Sequence, residues 1–328
     1  MLLGIVTSRF DRGVFTLSFD FELVWGSRDL YPDVAPLAAM ARITREQVFP
    51  ALLQQLTSLG MVATWATVGS LFLAEGRRTA GVLHPDLVPP RHAWRPDWLG
   101  GVPEGTEAEH PEFYARSLVI ALRDAGQEVG SHSFTHPVFG DVGCSRETAD
   151  SELRRCVQEA TKLGITLRSL VFPRNVAGHT DLLAKHGFTC WRGLEPVWYR
   201  NARVPGPLSR AAHLAEVIAA KSPPTVMPRR DEHGLWDIPA SSSILPVDGV
   251  RKLIPTSRRV RRAIRGLDKA AADGRISHLY THPINLASDP VGMLAAFQAI
   301  LTHAARLRDA GRIEVLPMAE VARRAATS

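Results

Sequence analysis

Two histidines stand four positions apart in the segment EVGSHSFTHP (128–137), after a short apolar run and before a proline. Imidazole is the commonest metal ligand in proteins, so His132 and His136 are candidates for a metal-binding pair. The spacing alone is a weak signal, because a chain with 12 histidines produces such pairs by chance. The other ligands and catalytic groups must be sought elsewhere in the chain.

Two carboxylates near the start of the chain could complete such a site. Asp20 and Glu22 are two positions apart in VFTLSFDFELVW, so on a strand they would face the same side. Two histidines and one carboxylate are a common ligand set for a catalytic zinc-type ion, with positions left for water and substrate. The second carboxylate could then act as the base that deprotonates the attacking water.

Several other polar and aromatic residues follow strand-like segments. His282, in YTHP, is a candidate to protonate a leaving amine. Arg174, Asn175, Trp191 and Arg192 follow two further segments of this kind. Each has a simpler explanation, such as a structural histidine, a loop salt bridge or a turn cap. Only their shared position at the ends of strands favours one site.

The fold must bring those strand ends together. Segments rich in aromatic and β-branched residues alternate about seven times with segments whose apolar residues recur at helical spacing. This alternation predicts an α/β fold with parallel strands and crossover helices, either a barrel or a doubly wound sheet. In both architectures the active site lies where the carboxyl ends of the strands meet the loops.

Two irregular segments interrupt the alternation. Residues 76–111 and 195–234 are rich in Pro, Gly and Trp, and they are too long for simple connections. We expect both insertions to cover the carboxyl-end face of the sheet. The remaining pattern is continuous, so we expect residues 1–328 to form a single catalytic domain.

Composition is that of a folded globular protein, since hydrophobic residues make up 45% and charged residues 22% of the chain. No export signal and no apolar run of membrane-spanning length is visible, so we expect a cytoplasmic protein. The three cysteines lack the spacing of a zinc site or a disulfide framework. The net charge of +6 favours anionic partners. Much of it lies in 251–269, which is either an outer barrel helix or a surface for anionic lipid or nucleotide phosphate.

The order of the motifs resembles that of the polysaccharide deacetylases of carbohydrate esterase family four, including the nodulation-type chitooligosaccharide deacetylases. The matching segments are TLSFDFELVWG, ATWATVG, EVGSHSFTHP, LVFPRN, GFTCWRG and LYTHPINL. The first two look most like an intracellular branch associated with glycoconjugate biosynthesis. The resemblance implies a distorted (β/α) barrel of about seven parallel strands. It also implies a divalent metal, with zinc first and cobalt, nickel, manganese or iron as alternatives.

The resemblance also implies roles for the polar residues. Asp20 would be the catalytic base, Glu22 would bind the metal with His132 and His136, and His282 would be the general acid. Relatives commonly have two adjacent aspartates, whereas this chain has Asp20-Phe21-Glu22. The roles of the two carboxylates could therefore be exchanged.

Further residues would orient the base or bind the substrate. Arg174 matches the arginine that orients the base, although the surrounding order is P-R-N. Trp191 would line the pocket for the acetyl group. Asn175, Arg192 and Trp25 complete the predicted substrate-binding residues.

The resulting hypothesis is metal-dependent N-deacetylation of an acetamido sugar in a polysaccharide, glycolipid, nucleotide sugar or small glycoside. The carrier could be a nucleotide or lipid phosphate, which would place the protein in the cytoplasm or at the inner membrane face. Hydrolysis of another amide, a cyclic imide or a ureide is one alternative, and an inactive carbohydrate-binding homologue is another. A serine hydrolase is disfavoured because G-x-S-x-G is absent. Only net charge would favour nucleic-acid binding, so we do not expect it.

Overall fold

A computed structural model describes residues 9–31, 33–200 and 204–327. At its centre is a curled sheet whose strands are parallel, except that β6 runs antiparallel to β7. Its strands are β1 Gly13–Phe21, β2 Thr64–Thr67, β3 Glu128–Ser131, β4 Ser169–Leu170, β5 Cys190–Trp191, β6 Arg229–Arg230, β7 Trp236–Asp237, β8 Ser242–Ser243, β9 Ile276–Thr281 and β10 Ile313–Val315. β1 lies in the middle, with β9 on one side and both β2 and β10 on the other.

Helices connect and surround these strands, as the apolar spacing predicts. They are α1 Ala35–Ile43, α2 Phe49–Ser58, α3 Arg116–Asp124, α4 Arg146–Lys162, α5 Asp181–Lys185, α6 Gly206–Ile218, α7 Thr256–Asp273, α8 Pro283–Leu286, α9 Pro290–Asp309 and α10 Met318–Ala325. A π-helical stretch, Thr44–Val48, joins α1 to α2. Within the described ranges, no helix combines the length and the apolar character needed to cross a bilayer.

One stretch of chain joins the two sides of the curled sheet. β7 pairs with β5, and β8, a few residues later, pairs with β9. Between them, the Ile238 amide donates to the Trp191 carbonyl (2.9 Å) and the Ser241 amide donates to the His278 carbonyl (2.8 Å). The ring therefore runs through β1, β2, β3, β4, β5, the β7–β8 stretch and β9. The predicted distorted (β/α) barrel of about seven parallel strands is confirmed.

The central strand β1 is buried along its whole length. Phe19 packs against Trp65 of β2 and Phe297 of α9, so the aromatic residues of β1 face the helices. The alternate residues face the interior of the barrel, where Ser18 hydrogen-bonds to the His278 imidazole (2.9 Å). The polar side of the strand is thus enclosed by the sheet, and its last members approach the carboxyl end.

The two predicted insertions contain little regular structure. The first includes two small antiparallel pairs, Arg78–Thr79 with Val82–Leu83 and Glu75–Gly76 with Gly105–Thr106. The second includes the short helical turn Trp198–Arg200 and helix α6. Both follow carboxyl ends of strands, on the side of the barrel where the predicted site residues lie. That the chain forms a single catalytic domain remains a prediction.

Candidate active site

The carboxyl ends of three strands bring predicted metal ligands and predicted catalytic residues together. Asp20 lies near the end of β1 and Glu22 directly follows that strand. His132 follows β3, and His282 follows β9. Because β1 is the direct neighbour of β9 and is separated from β3 only by β2, these side chains converge on one point.

Glu22 is the centre of this cluster. Its Oε1 atom lies 2.9 Å from His132 Nε2, 3.3 Å from His136 Nε2 and 3.5 Å from His282 Nε2. The candidate ligand atoms of Glu22, His132 and His136 all lie within 4.8 Å of one another, and the three residues are buried. One carboxylate oxygen and two imidazole nitrogens in this arrangement suit a zinc-type divalent cation.

The imidazoles of His132 and His136 differ in their hydrogen bonding. Nδ1 of His132 donates to the Val171 carbonyl (2.7 Å), which directs the lone pair of Nε2 toward Glu22. Neither ring nitrogen of His136 has a hydrogen-bond partner among the described residues, although both are buried. Burial lowers the pKa of His136, so its imidazole stays neutral and can donate a lone pair. A buried, neutral imidazole that lies 3.3 Å from a carboxylate oxygen but makes no hydrogen bond with the described residues fits a metal ligand.

The loop that carries both histidines is held in a strained conformation. Ser133 and His136 have φ angles of 60° and 66°, a left-handed region that costs a non-glycine residue about 1–2 kcal/mol. Glu152 of α4 accepts hydrogen bonds from the amides of Phe134 and Thr135, both 2.7 Å. These bonds offset the strain and fix the positions of the two imidazoles. The sequence gives no signal for this role of Glu152, since the residue lies in an ordinary helical segment.

Asp20 is held by Arg192. The guanidinium donates to both carboxylate oxygens, at 2.5 Å and 2.7 Å, and also to Ser18 Oγ (3.1 Å) and Asn175 Oδ1 (2.9 Å). It lies over the Tyr280 ring, 4.2 Å from the centroid. A bidentate contact of this kind fixes the plane of the carboxylate.

We expect Arg192→Ala to lower the free energy of unfolding by about 3–5 kcal/mol, because a buried carboxylate would lose its partner. Urea denaturation followed by circular dichroism measures this change. The control is Arg77→Ala, which breaks an exposed ion pair with Glu75 and should leave the midpoint unchanged. Equal denaturation midpoints for the two variants would show that the Asp20–Arg192 pair does not contribute to the free energy of unfolding as expected.

Electrostatics keep both carboxylates ionised. Burial opposes ionisation of Asp20, but Arg192 and His282 hold the pKa of this carboxyl below its ordinary value. Burial likewise opposes ionisation of Glu22, yet His282, His132 and His136 hold its pKa well below the ordinary value. For His282, burial disfavours the charged form, while Glu22 and Asp20 raise the pKa of the imidazole to about 9. In this charge arrangement His282 carries a proton.

Three other predicted site residues, Arg174, Arg192 and Trp25, make contacts that differ from the predicted ones. Arg174 adopts a φ of 56° and pairs with Asp29 (2.5 Å), so it does not take the expected place beside Asp20. Arg192, predicted to bind substrate, is buried and occupies that place. Trp25 is also fully buried, and its indole donates to the Phe113 carbonyl (2.9 Å), so it supports the loop after β1.

Asn175 and Trp191 remain near the site. Asn175 holds the guanidinium of Arg192 rather than facing outward. Trp191 is partly exposed, and its indole donates to Asp231 (3.0 Å) while its ring packs against Phe172. That Trp191 contacts a substrate remains a prediction.

Gly26 lies against the Glu22 carboxylate, and the sequence analysis did not identify it. A Cβ atom at this position would overlap the Glu22 carboxylate, so only glycine leaves room for it. The surrounding turn brings Gly26 there, since the Trp25 amide donates to the Glu22 carbonyl (3.0 Å). No local pattern marks this glycine, because the close approach appears only after folding.

We expect Gly26→Ala to weaken metal binding about 10- to 100-fold, the usual cost of disturbing a group that positions a ligand. Titration calorimetry with zinc measures the affinity. Gly206→Ala is the matched control, because its added Cβ would meet only an ordinary contact, 3.5 Å from Arg210. Unchanged zinc affinity in Gly26→Ala would mean that the Glu22 carboxylate can move without weakening zinc binding.

Comparison with solved structures reveals the same fold in three proteins. One, described as a polysaccharide deacetylase from Mycobacterium smegmatis, is 15% identical, with 98% of this chain and 93% of that chain covered and a TM-score of 0.64. A second, described as a polysaccharide deacetylase from Pseudomonas aeruginosa PAO1, is 11% identical, with 94% and 89% covered and a TM-score of 0.59. The third is Puue allantoinase, 10% identical, with 94% and 89% covered and a TM-score of 0.58.

Sequence comparison adds nothing to this result, because no family model and no curated protein matches the chain. At these low identities, the likeness demonstrates a shared fold. The fold expected from the sequence resemblance is thereby confirmed. One fold serves both a deacetylase and an allantoinase, so the reaction must be argued from the site itself.

Proposed function

We propose that this chain, which shares its fold with solved polysaccharide deacetylases, is a metal-dependent hydrolase that removes the acetyl group of an acetamido sugar. The observation that carries the proposal is the position of Glu22 Oε1, 2.9 Å and 3.3 Å from the Nε2 atoms of His132 and His136. Two residues earlier, Asp20 is held separately by Arg192. The two carboxylates therefore have different environments and can serve different roles.

We assign Glu22, His132 and His136 as the metal ligands and zinc as the first candidate, with cobalt, nickel, manganese or iron as alternatives. A divalent cation bound there would polarise the amide carbonyl and favour deprotonation of water. Asp20 is the weaker candidate ligand, because both of its oxygens already accept hydrogen bonds from Arg192.

Asp20 is the proposed base. Arg192 keeps its carboxylate ionised and fixes its orientation, so an oxygen of Asp20 can accept a proton from the attacking water. The water oxygen then forms a bond to the carbonyl carbon of the acetamido group. Arg192 acts through Asp20 and is a positioning residue.

His282 is the proposed acid. It lies at the mouth, with 31% of its side chain exposed, and its Nε2 atom is 3.5 Å from both Asp20 Oδ2 and Glu22 Oε1. It donates a proton to the sugar nitrogen as the carbon–nitrogen bond breaks, so that acetate and a free amine leave. Trp191, partly exposed beside the site, is proposed to contact the acetyl or sugar group.

The substrate is proposed to belong to a polysaccharide, a glycolipid, a nucleotide sugar or a small glycoside. A phosphate-bearing carrier would suit the positive net charge of the chain. A cytoplasmic location, with contact to the inner membrane face, remains a prediction.

The proposal is tested by acetate release from a panel of acetamido sugars, with the metal removed by chelation and then restored. We expect release only with the metal present. A second candidate is ring opening of a cyclic ureide, which the likeness to an allantoinase favours. Loss of allantoin or hydantoin without acetate release would support that candidate instead. Sugar binding that survives chelation, without turnover of any amide, would indicate an inactive carbohydrate-binding homologue.

A further inference from the structure

A short helical turn, Gly249–Leu253, protrudes from the barrel and has no buried residue. Two of its side chains are large and apolar, yet Val250 is 70% exposed and Leu253 is 85% exposed. Exposing such side chains to water is unfavourable unless another surface covers them. We call residues 249–253 the rim turn.

The rim turn lies on the same side of the barrel as the candidate active site. It follows the carboxyl end of β8, and the Ile244 amide before it donates to the Tyr280 carbonyl (3.0 Å) of β9. The Val247 amide donates to Ser288 Oγ (3.0 Å), a few residues beyond His282. The rim turn is therefore next to the loop that carries the proposed acid.

A buried arginine fixes the rim turn to helix α7. The guanidinium of Arg259 donates to the carbonyls of Ile254 (2.6 Å), Arg251 (2.8 Å) and Pro246 (3.2 Å). Three hydrogen bonds from one side chain tie both ends of the turn to the helix. The exposed side chains of Val250 and Leu253 thus belong to a turn whose position is fixed by hydrogen bonds.

Unpaired positive charge surrounds these apolar side chains. Lys252, Arg258 and Arg261 are exposed, and their side chains form no hydrogen bond or ion pair with any residue in the described ranges. Arg251 is the exception, because it pairs with Asp248 (3.0 Å). The surface around the rim turn therefore has an excess of cations.

Most other exposed large apolar side chains lie on the same side of the barrel as the rim turn. Apart from Ile218 and Val82, the exposed large apolar side chains in the described ranges lie in loops or helix starts that follow the carboxyl ends of strands. Val82 lies in a small antiparallel pair of the first insertion, which itself follows the carboxyl end of β2. Leu30, Val142 and Val291 are examples from three different loops. Apart from Ile218 of α6, the helices away from these ends lack such side chains among the described residues.

We propose that the rim turn and the start of α7 form a docking surface for an anionic lipid bilayer. Apolar side chains that protrude beside lysine and arginine suit the boundary between acyl chains and acidic headgroups. A nucleic acid would not require the protruding Val250 and Leu253. A protein partner would be expected to meet a flatter or grooved apolar patch rather than a projecting turn. This inference goes beyond the proposed function and does not depend on it.

The test is co-sedimentation of the full chain with vesicles. We expect binding to phosphatidylcholine vesicles that contain about 30% phosphatidylglycerol, and at least tenfold weaker binding to pure phosphatidylcholine. Val250→Asp with Leu253→Asp should weaken binding to the anionic vesicles at least tenfold. Arg258→Glu with Arg261→Glu should do the same and should reduce the sensitivity of binding to added salt.

Ile218→Asp is the matched control, because Ile218 is an exposed apolar residue (51%) outside the catalytic side; its vesicle binding should equal that of the unmodified chain. Circular dichroism checks that each variant is folded. Absence of binding to anionic vesicles, or binding that survives both double substitutions, would overturn the proposal. So would a dimer in light scattering that Val250→Asp with Leu253→Asp dissociates, without any vesicle binding. Asp20→Asn, which is expected to hydrolyse substrate far more slowly, should still bind vesicles, so the docking surface and the proposed function can fail separately.

Discussion

Replacing Asp20 by Asn is expected to lower kcat about 10³-fold, within the range that a positioned base contributes. Asparagine keeps the shape of the side chain but cannot accept the proton of the attacking water. Metal content should stay stoichiometric, because Glu22, His132 and His136 are unchanged. Steady-state acetate release and elemental analysis measure the two quantities on the same preparation.

Asp29→Asn is the matched control for Asp20→Asn. Asp29 is also a carboxylate with a nearly inaccessible side chain, and its partner is Arg174. We expect it to lower kcat less than tenfold. Full activity in Asp20→Asn would refute the assignment of the base. Loss of the metal from Asp20→Asn, with the metal kept in Glu22→Gln, would mean that the two carboxylates have exchanged roles.

Replacing Glu22 by Gln is expected to weaken metal binding more than about 100-fold, beyond the usual cost of losing a group that only positions a ligand. The amide keeps the volume of the side chain but lacks the negative charge that faces the Nε2 atoms of His132 and His136. Acetate release should fall with the metal content. Titration with zinc, and elemental analysis after dialysis, measure the loss.

Glu195→Gln provides the comparison for Glu22→Gln. Glu195 is another buried carboxylate, paired with Arg200 (2.7 Å), and its loss should leave metal binding unchanged. The combined change His132→Ala with His136→Ala should also abolish binding. A stoichiometric ion in that double variant would show that the ligands are elsewhere.

Much of the fold could be predicted from the order of strand-like and helical segments. The alternation in β1 was interpreted correctly, since its aromatic residues pack on helices and its polar residues share the other face. The lengths of the strands could not be predicted in this way. In the segment that includes LVFPRN, only Ser169–Leu170 form β4, which pairs with β3 at Leu170 and with β5 at both residues.

The site was predictable where one strand end dictates the position of a side chain. Glu22 and the two histidines lie together because β1 and β3 end at the same side of the barrel. The roles of the two arginines were not predictable in this way. Arg174 and Arg192 both follow strands, but only Arg192 points into the barrel toward Asp20, while Arg174 turns toward Asp29. Which of the two arginines points toward Asp20 depends on the backbone conformation, and the spacing of residues in the sequence does not determine that conformation.

The stretch that joins β5 to β9 is the seam of the barrel. Its strands β7 and β8 have two residues each, whereas β1 and β9 share six paired positions. Local opening on heating is therefore expected at the seam rather than between β1 and β9, because fewer backbone hydrogen bonds must break there. Arg192 follows β5 on that side, while the three proposed ligands follow β1 and β3. Opening at the seam would draw the guanidinium away from Asp20, so the proposed activity should be lost at a temperature where Glu22, His132 and His136 can still hold a metal.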